Sequence, residues 1–383
     1  MSEPRVRRAL KSGNGVVHEV TWEDGRWVVR FLSEPRTSPQ SLWFSLEADN
    51  LQGKPVRFVW MNADHTLGDS RHLASIHPVL CPSGGAWMRC PEVVVTETDD
   101  GRRELVFDHT QPSDRIAAAF CFPYGLDHFQ LALEETDLPA PDIIGITGQG
   151  RPLPRIRLAG PEKDGKIGVY VTARQHAGET PGSWVLDGLL RHLADGGLGD
   201  QDWWIVPFVD LDGVENGDYG KDAHPWDFNR AWEKMPMRPE VLSIQADLHR
   251  FASRYPKRLL IDLHAPGHAE DGLWLFMPRS HRPAAQREAS ERFVSALSSV
   301  FTEMAPSALQ RETNYGSRWG ADATIACWVW DNLAETPAVS LETSYQSLAG
   351  HRLDIKGYRD VGRRIALAVH DWSRRTRTPN NGQ

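Results

Sequence analysis

At 383 residues, with 40% hydrophobic and 25% charged positions, the chain has ordinary globular composition and enough length for two domains. Its 51 acidic against 43 basic residues give a formal charge of −8, which argues against a general nucleic-acid binder, whose affinity rests on basic surface. The four cysteines, Cys81, Cys90, Cys121 and Cys327, form no CxxC pair; they indicate neither a zinc ribbon nor a redox motif and fit a reducing compartment.

The N-terminal stretch MSEPRVRRALKSGNG carries charge without a following apolar run, unlike a signal peptide. No apolar run approaches the ~20 residues needed to span a bilayer, so the expectation is a soluble, cytoplasmic protein with no membrane partner. The first 124 residues read as β-structure. Val16 to Phe31 is two apolar runs around Glu23-Asp24-Gly25, a hairpin signature. Further strands are expected at Leu42–Ala48, Pro55–Met61, Val93–Glu97 and Leu105–Asp108, with a turn at Asp99-Asp100-Gly101. An antiparallel β-sandwich over residues 1–124 is the expected outcome.

The pattern changes after Tyr124. Leu126 to Glu135 predicts a helix, a Pro-rich connection follows at Leu138-Pro139-Ala140-Pro141, and strands and helices then alternate. Ile167–Ala173, Trp203–Val209, Leu259–Leu263, Leu273–Met277 and Ala338–Leu341 read as buried strands. Gly182–Ala194, Pro283–Glu303 and Asp354–Ser373 read as helices. Residues 125–375 are therefore expected to form an α/β domain, a mixed and largely parallel sheet flanked by helices.

Metal-type residues stand directly after three of these strands: Arg174-Gln175-His176-Ala177-Gly178-Glu179, then Ile261-Asp262-Leu263-His264, then Val339-Ser340-Leu341-Glu342. Strand carboxyl ends line the ligand crevice of open α/β sheets. Two imidazoles and a carboxylate suit zinc and leave a fourth position for water, as hydrolysis requires. Asp227-Phe228-Asn229-Arg230 adds an Asp able to fix a ligand imidazole and an Arg suited to a carboxylate.

Together these residues resemble the carboxypeptidase A-like zinc metallocarboxypeptidases, and within them the cytosolic carboxypeptidase branch. RQHAGETPGSWVLDGLL (174–190) is similar to the metal motif and its following helix, and PFVDLDGVENGDYG from Pro207 to the NPDG loop. DFNR (227–230), IDLH (261–264), SLETS (340–344) and CFPYG (121–125) are similar to further motifs in family order. The resemblance implies one zinc per chain on His176, Glu179 and His264, with Asp227 orienting His176. It implies that Asn229 and Arg230 hold the terminal carboxylate of a peptide or protein C-terminus, with Glu342 as general base.

Some positions depart from the pattern. NPDG is here Asp210-Leu211-Asp212-Gly213. Counting back from Asn229, Gly220 stands where the family usually has an Arg that polarises the scissile carbonyl, with Lys221 next to it. An Arg returned to position 220 is expected to raise activity on simple peptides, unless Lys221 already serves. Tyr315 is the candidate substrate-anchoring tyrosine, and His268 is left as structural or substrate-lining. Two alternatives stand beside the carboxypeptidase reading. One is a zinc amidohydrolase acting on N-acyl amino acids or cell-wall peptides; the other is a zinc-binding pseudoenzyme serving as a peptide-binding module.

Overall fold

The computed structural model describes residues 3–65, 70–161, 165–233, 238–277, 282–301, 309–312, 321–333 and 335–377. Tyr315 lies outside them. In the N-terminal part ten strands follow in chain order among the described residues: β1 (Arg5–Arg8), β2 (Val16–Glu23), β3 (Arg26–Leu32), β4 (Ser45–Asp49), β5 (Val56–Trp60), β6 (Val79–Pro82), β7 (Met88–Arg89), β8 (Val94–Glu97), β9 (Arg103–His109) and β10 (Arg115–Ala119). The expected hairpin joins β2 and β3 through Asp24 and Gly25, both at positive φ as a tight hairpin turn demands. Trp22 and Trp27 face each other across it, with ring centroids 5.0 Å apart.

Two five-stranded sheets result, in the orders β1-β4-β10-β6-β7 and β2-β3-β5-β9-β8. An aromatic layer joins them: Phe44 meets Phe31, Trp60 and Phe107, and Trp60 meets Phe120. The sheets are antiparallel except where β3 pairs β5 in parallel. That exception follows from connectivity, because the chain crosses to the other sheet through β4 before returning alongside β3.

The large sheet has eight strands among the described residues: β11 (Asp142–Ile146), β12 (Pro152–Ala159), β13 (Ile167–Ala173), β14 (Gln201–Val206), β15 (Lys257–His264), β16 (Leu273–Phe276), β17 (Leu309–Glu312) and β18 (Ala338–Thr343). Their order is β11-β12-β14-β13-β15-β18-β16-β17. The central four, β14, β13, β15 and β18, run parallel, with antiparallel strands towards both edges. β13 is buried along its whole length, which is why it reads as a continuous apolar run.

Helices cover both faces. They are α1 (Leu126–Thr136), α2 (Thr180–His192), α3 (Leu211–Asn216), α4 (Pro239–Arg254), α5 (Ala284–Phe301), α6 (Ile325–Asn332) and α7 (Ile355–Arg377). Strand alternation assigns the faces. Ile167, Val169, Val171, Leu259, Ile261, Leu263, Val339 and Leu341 share a cluster with α2, α5 and α7. Tyr170, Leu260 and Ala338 face α4 and α6. Backbone contact between α2 and α7 depends on Gly188 and Gly362, where a Cβ would lie 2.1 Å from Arg359 O and 1.9 Å from Val185 O. Among the described residues no helix is long and apolar enough to cross a membrane.

Arg89 on β7 ties the N-terminal sheets to the segment following β18. Its guanidinium donates to the carbonyls of Leu353, His77 and Tyr345, to Gln346 Oε1 and to the Tyr358 hydroxyl. Truncation leaves several buried acceptors unpaired. Arg89→Ala should therefore lower stability by roughly 3 kcal/mol or more, read from the midpoint of urea unfolding. A loss under about 1 kcal/mol would show that this contact does not join the two parts.

Candidate metal centre and active site

The parallel strands β13, β15 and β18 end side by side, and their register decides what meets there. Thr172 pairs with Asp262, and His264 pairs with Glu342. Asp262, His264 and Glu342 occupy alternate positions that face away from the α2 side, so they gather at one sheet end. β13 then breaks at Arg174, whose φ of +61° turns the chain into the His176–Glu179 loop. Arg174 is itself buried, and its guanidinium donates to Ala177 O, Tyr124 O and Ser183 Oγ, fixing that loop from beneath. Glu179 immediately precedes α2, where the positive end of the helix dipole favours a carboxylate.

The Glu179 carboxylate stands at the centre of the cluster. Its Oε1 lies 2.8 Å from His176 Nδ1 and 2.7 Å from Lys221 Nζ. Its Oε2 lies 2.9 Å from His264 Nδ1 and accepts from Ala265 N at 3.0 Å. Ligand atoms of His176, Glu179 and His264 all lie within 4.8 Å of one another, and all three residues are buried. Both imidazoles present Nδ1 to the cluster and rest Nε2 on a carboxylate. His176 Nε2 is 3.1 Å from Asp227 Oδ1, and His264 Nε2 is 2.6 Å from Asp262 Oδ2. A carboxylate behind each histidine fixes its tautomer and raises its basicity, the usual support of a zinc-bound imidazole. The donor set and its backing fit zinc.

Charge balance follows the same contacts. Burial alone would depress the His176 imidazole, but Asp227 and then Glu179 lift it to about 9. Burial likewise opposes charge on His264, and Asp262 and Glu179 raise it well above the usual range. For Glu179 burial works against ionisation, yet His176, Lys221 and His264 hold it well below the ordinary carboxylate range. Metal binding here must displace the imidazole protons, so affinity falls as pH falls. Burial pushes Glu342 upwards, with His264 and Lys221 drawing it partly back. Its Oε2 is buried and has no hydrogen-bond partner among the described residues.

The other sequence candidates also converge. Asp227 accepts from Asn229 N at 2.7 Å and from Asp222 N at 2.8 Å, which fixes its carboxylate towards His176. Asn229 is buried, with Nδ2 3.1 Å from His264 Nε2 and Oδ1 accepting from Ile325 N. Arg230 Nη1 donates to Asn229 O, while its buried Nε has no partner among the described residues. His268 is buried four residues beyond His264.

Position 220 corrects an expectation. Gly220 has φ +87°, and a Cβ there would lie 2.7 Å from Ala177 N and 3.3 Å from His176 Cα. An arginine at 220 would strain the backbone and push on the His176–Glu179 loop, which argues against the expected gain in activity. Two residues were not anticipated, Asp262 and Arg174. Asp262 was legible in Ile261-Asp262-Leu263-His264, since residues two apart on a strand share a face. Arg174 carries no sequence signal separating it from a solvated arginine.

With this geometry in place, comparison with known proteins gives the class. The sequence model of the zinc carboxypeptidase family matches residues 130–378, and the chain belongs to that family. It is 26% identical over 221 residues to cytosolic carboxypeptidase 6 of Mus musculus, covering 50% of this chain and 39% of that protein. Against cytosolic carboxypeptidase 6 of Caenorhabditis elegans it is 27% identical over 285 residues, covering 67% and 61%. The chain thus spans less than two thirds of the length of these relatives. In fold it is similar to a metallo-carboxypeptidase from Burkholderia cenocepacia, with a TM-score of 0.81, 21% identity, and coverage of 98% of this chain and 100% of that one. None of these similarities favours the amidohydrolase or the binding-module alternative.

Asp262→Asn should weaken zinc affinity by about 10- to 100-fold, measured by competition with a chelator, without changing the thermal melt of the metal-free protein by more than a few degrees. Unchanged affinity would remove Asp262 from the metal centre. His264→Ala should abolish stoichiometric zinc altogether after dialysis.

Proposed function

We propose that this protein is a zinc-dependent carboxypeptidase that removes C-terminal residues from peptides or protein tails. The observation carrying this reading is the pair of Nδ1 atoms flanking Glu179, with Glu342 in register beside His264. One zinc per chain would be held by His176, Glu179 and His264. Zinc so held supplies Lewis-acid chemistry, polarising a carbonyl and lowering the pKa of water from about 15.7 towards 7.

The chain's own residues do the rest. Glu342 takes a proton from the attacking water and returns it to the leaving amine. A carboxyl raised by burial is better matched to that exchange near neutral pH than an ordinary glutamate. Arg230, whose buried Nε has no partner among the described residues, grips the terminal carboxylate and makes the reaction exo-acting. Asn229 sits beside both His264 and Arg230 and completes the carboxylate pocket. Asp227 orients His176. The family's chemistry and the names of the cytosolic relatives support a peptide substrate and a cytoplasmic setting.

Glu342→Gln keeps shape but cannot accept the proton. Turnover of a short peptide should fall at least about a hundredfold, the low end for a lost general base, while zinc content stays stoichiometric. Retained turnover would take Glu342 out of the reaction. Amidating the substrate C-terminus should slow the native protein sharply, and Arg230→Ala should erase the difference. Equal native rates on free and amidated substrates would point to an amidase instead.

A further inference from the structure

Peptide hydrolysis develops negative charge on the carbonyl oxygen, and a site for it needs a donor aimed at that oxygen. Position 220 is a strained place for one, because its φ is positive and a Cβ there would lie 2.7 Å from Ala177 N. The next residue carries a cation. Lys221 Nζ lies 2.7 Å from Glu179 Oε1 and donates to Ala265 O at 3.0 Å, so it stands within the cluster. Its side chain is 14% exposed, and its charge acts on Glu342 as well as Glu179.

A lysine is normally a loose cation, but this one is held at its base by the loops that join β1 to β2 and β3 to β4. Asn14 Nδ2 donates to Gly217 O at 2.9 Å, and Arg36 donates to Asn216 O and to Asp218. Ser38 Oγ donates to Lys221 O, and Gln40 Nε2 to Asp222 Oδ2 at 2.7 Å. On the far side His224 N donates to Thr37 O at 2.7 Å. Segment 216–224 is therefore gripped along its length from residues 14 to 40. Such anchoring at the backbone restricts where the ammonium can go, which is what a preorganised electrostatic group requires.

We propose that Lys221 is the catalytic cation of this site: its ammonium stabilises the oxyanion that forms on the scissile carbonyl, and the N-terminal sheets exist in part to aim it. The proposal rests on the peptidase reading above. In the step itself, water oxygen bonds to the carbonyl carbon and the carbon–oxygen π pair moves onto oxygen beside Nζ. Glu342 meanwhile holds the water's proton. Collapse returns the pair, breaks the carbon–nitrogen bond and delivers that proton to the departing amine.

The test compares native protein, Lys221→Met and Lys221→Arg, each with zinc measured. Affinity is determined for a phosphonate peptide that mimics the tetrahedral intermediate and for the shortened peptide product. We expect Lys221→Met to keep zinc and stay folded at the assay temperature, melting lower than native because Glu179 loses one donor, and to bind product within about threefold of native. Phosphonate affinity and kcat should both fall about 10²–10³-fold, the effect of losing one oxyanion donor, with KM little changed. Lys221→Arg should recover part of both losses. Phosphonate and product affinities falling together, or neither falling, would overturn the proposal. Loss of zinc or fold in Lys221→Met would also overturn it, because the ammonium would then serve Glu179 rather than substrate. An inert native protein with full zinc is a separate result, and it would sink the peptidase reading itself.

Discussion

The structure turns on one buried carboxylate. Glu179 is 0% exposed, and an ion withdrawn so fully from water is strongly unfavourable unless several donors replace its hydration. Two imidazole nitrogens, the Lys221 ammonium and the Ala265 amide converge on its two oxygens, and α2 begins behind it. None of these groups could gather there from a single segment. β13 and its loop supply His176 and Glu179, β15 supplies His264 and Ala265, and the 216–222 segment supplies Lys221. The parallel register of the central strands and the buried Arg174 are the means by which these pieces are brought to one point.

The two halves of the chain divide the work accordingly. The large sheet positions the candidate site, because adjacent parallel strands place Asp262, His264 and Glu342 on one face without further instruction. The N-terminal sheets contribute no ligand among the described residues. They act at the margins, through Arg89 on the turn after β18 and through Asn14, Arg36, Ser38 and Gln40 on the segment bearing Lys221. Through these contacts the N-terminal part holds the turn after β18 and the segment bearing Lys221. Its packing runs continuously into the core of the large sheet.

Much of this was legible in the sequence, for identifiable reasons. Buried parallel strands such as Ile167–Ala173 are apolar at every position, and the residues that follow them fall at the crevice by topology. The meeting of His176, Glu179, His264, Asp227 and Glu342 at one sheet end was therefore readable from position and chemistry together. β12 was not, because Pro152 and Pro154 argue against a strand. They are tolerated because β14 pairs β12 only from Ile156 onward, leaving the prolines alongside the edge strand β11. The parallel pairing of β3 with β5 was hidden as well, since local alternation is the same in either direction. Lys221 was a candidate from its place beside Gly220, but its anchoring, like that of Arg89, rests on contacts between residues 180 and more apart, which no local pattern encodes.

The account stands on the identity of the metal ligands, and zinc K-edge absorption of protein loaded with one equivalent tests that directly. Two imidazole nitrogens at about 2.0–2.1 Å and carboxylate oxygen at about 2.0–2.2 Å are predicted, with the zinc and its imidazole signal lost from His176→Ala after dialysis. A sulfur shell at about 2.3 Å, or an imidazole signal untouched by that substitution, would contradict it.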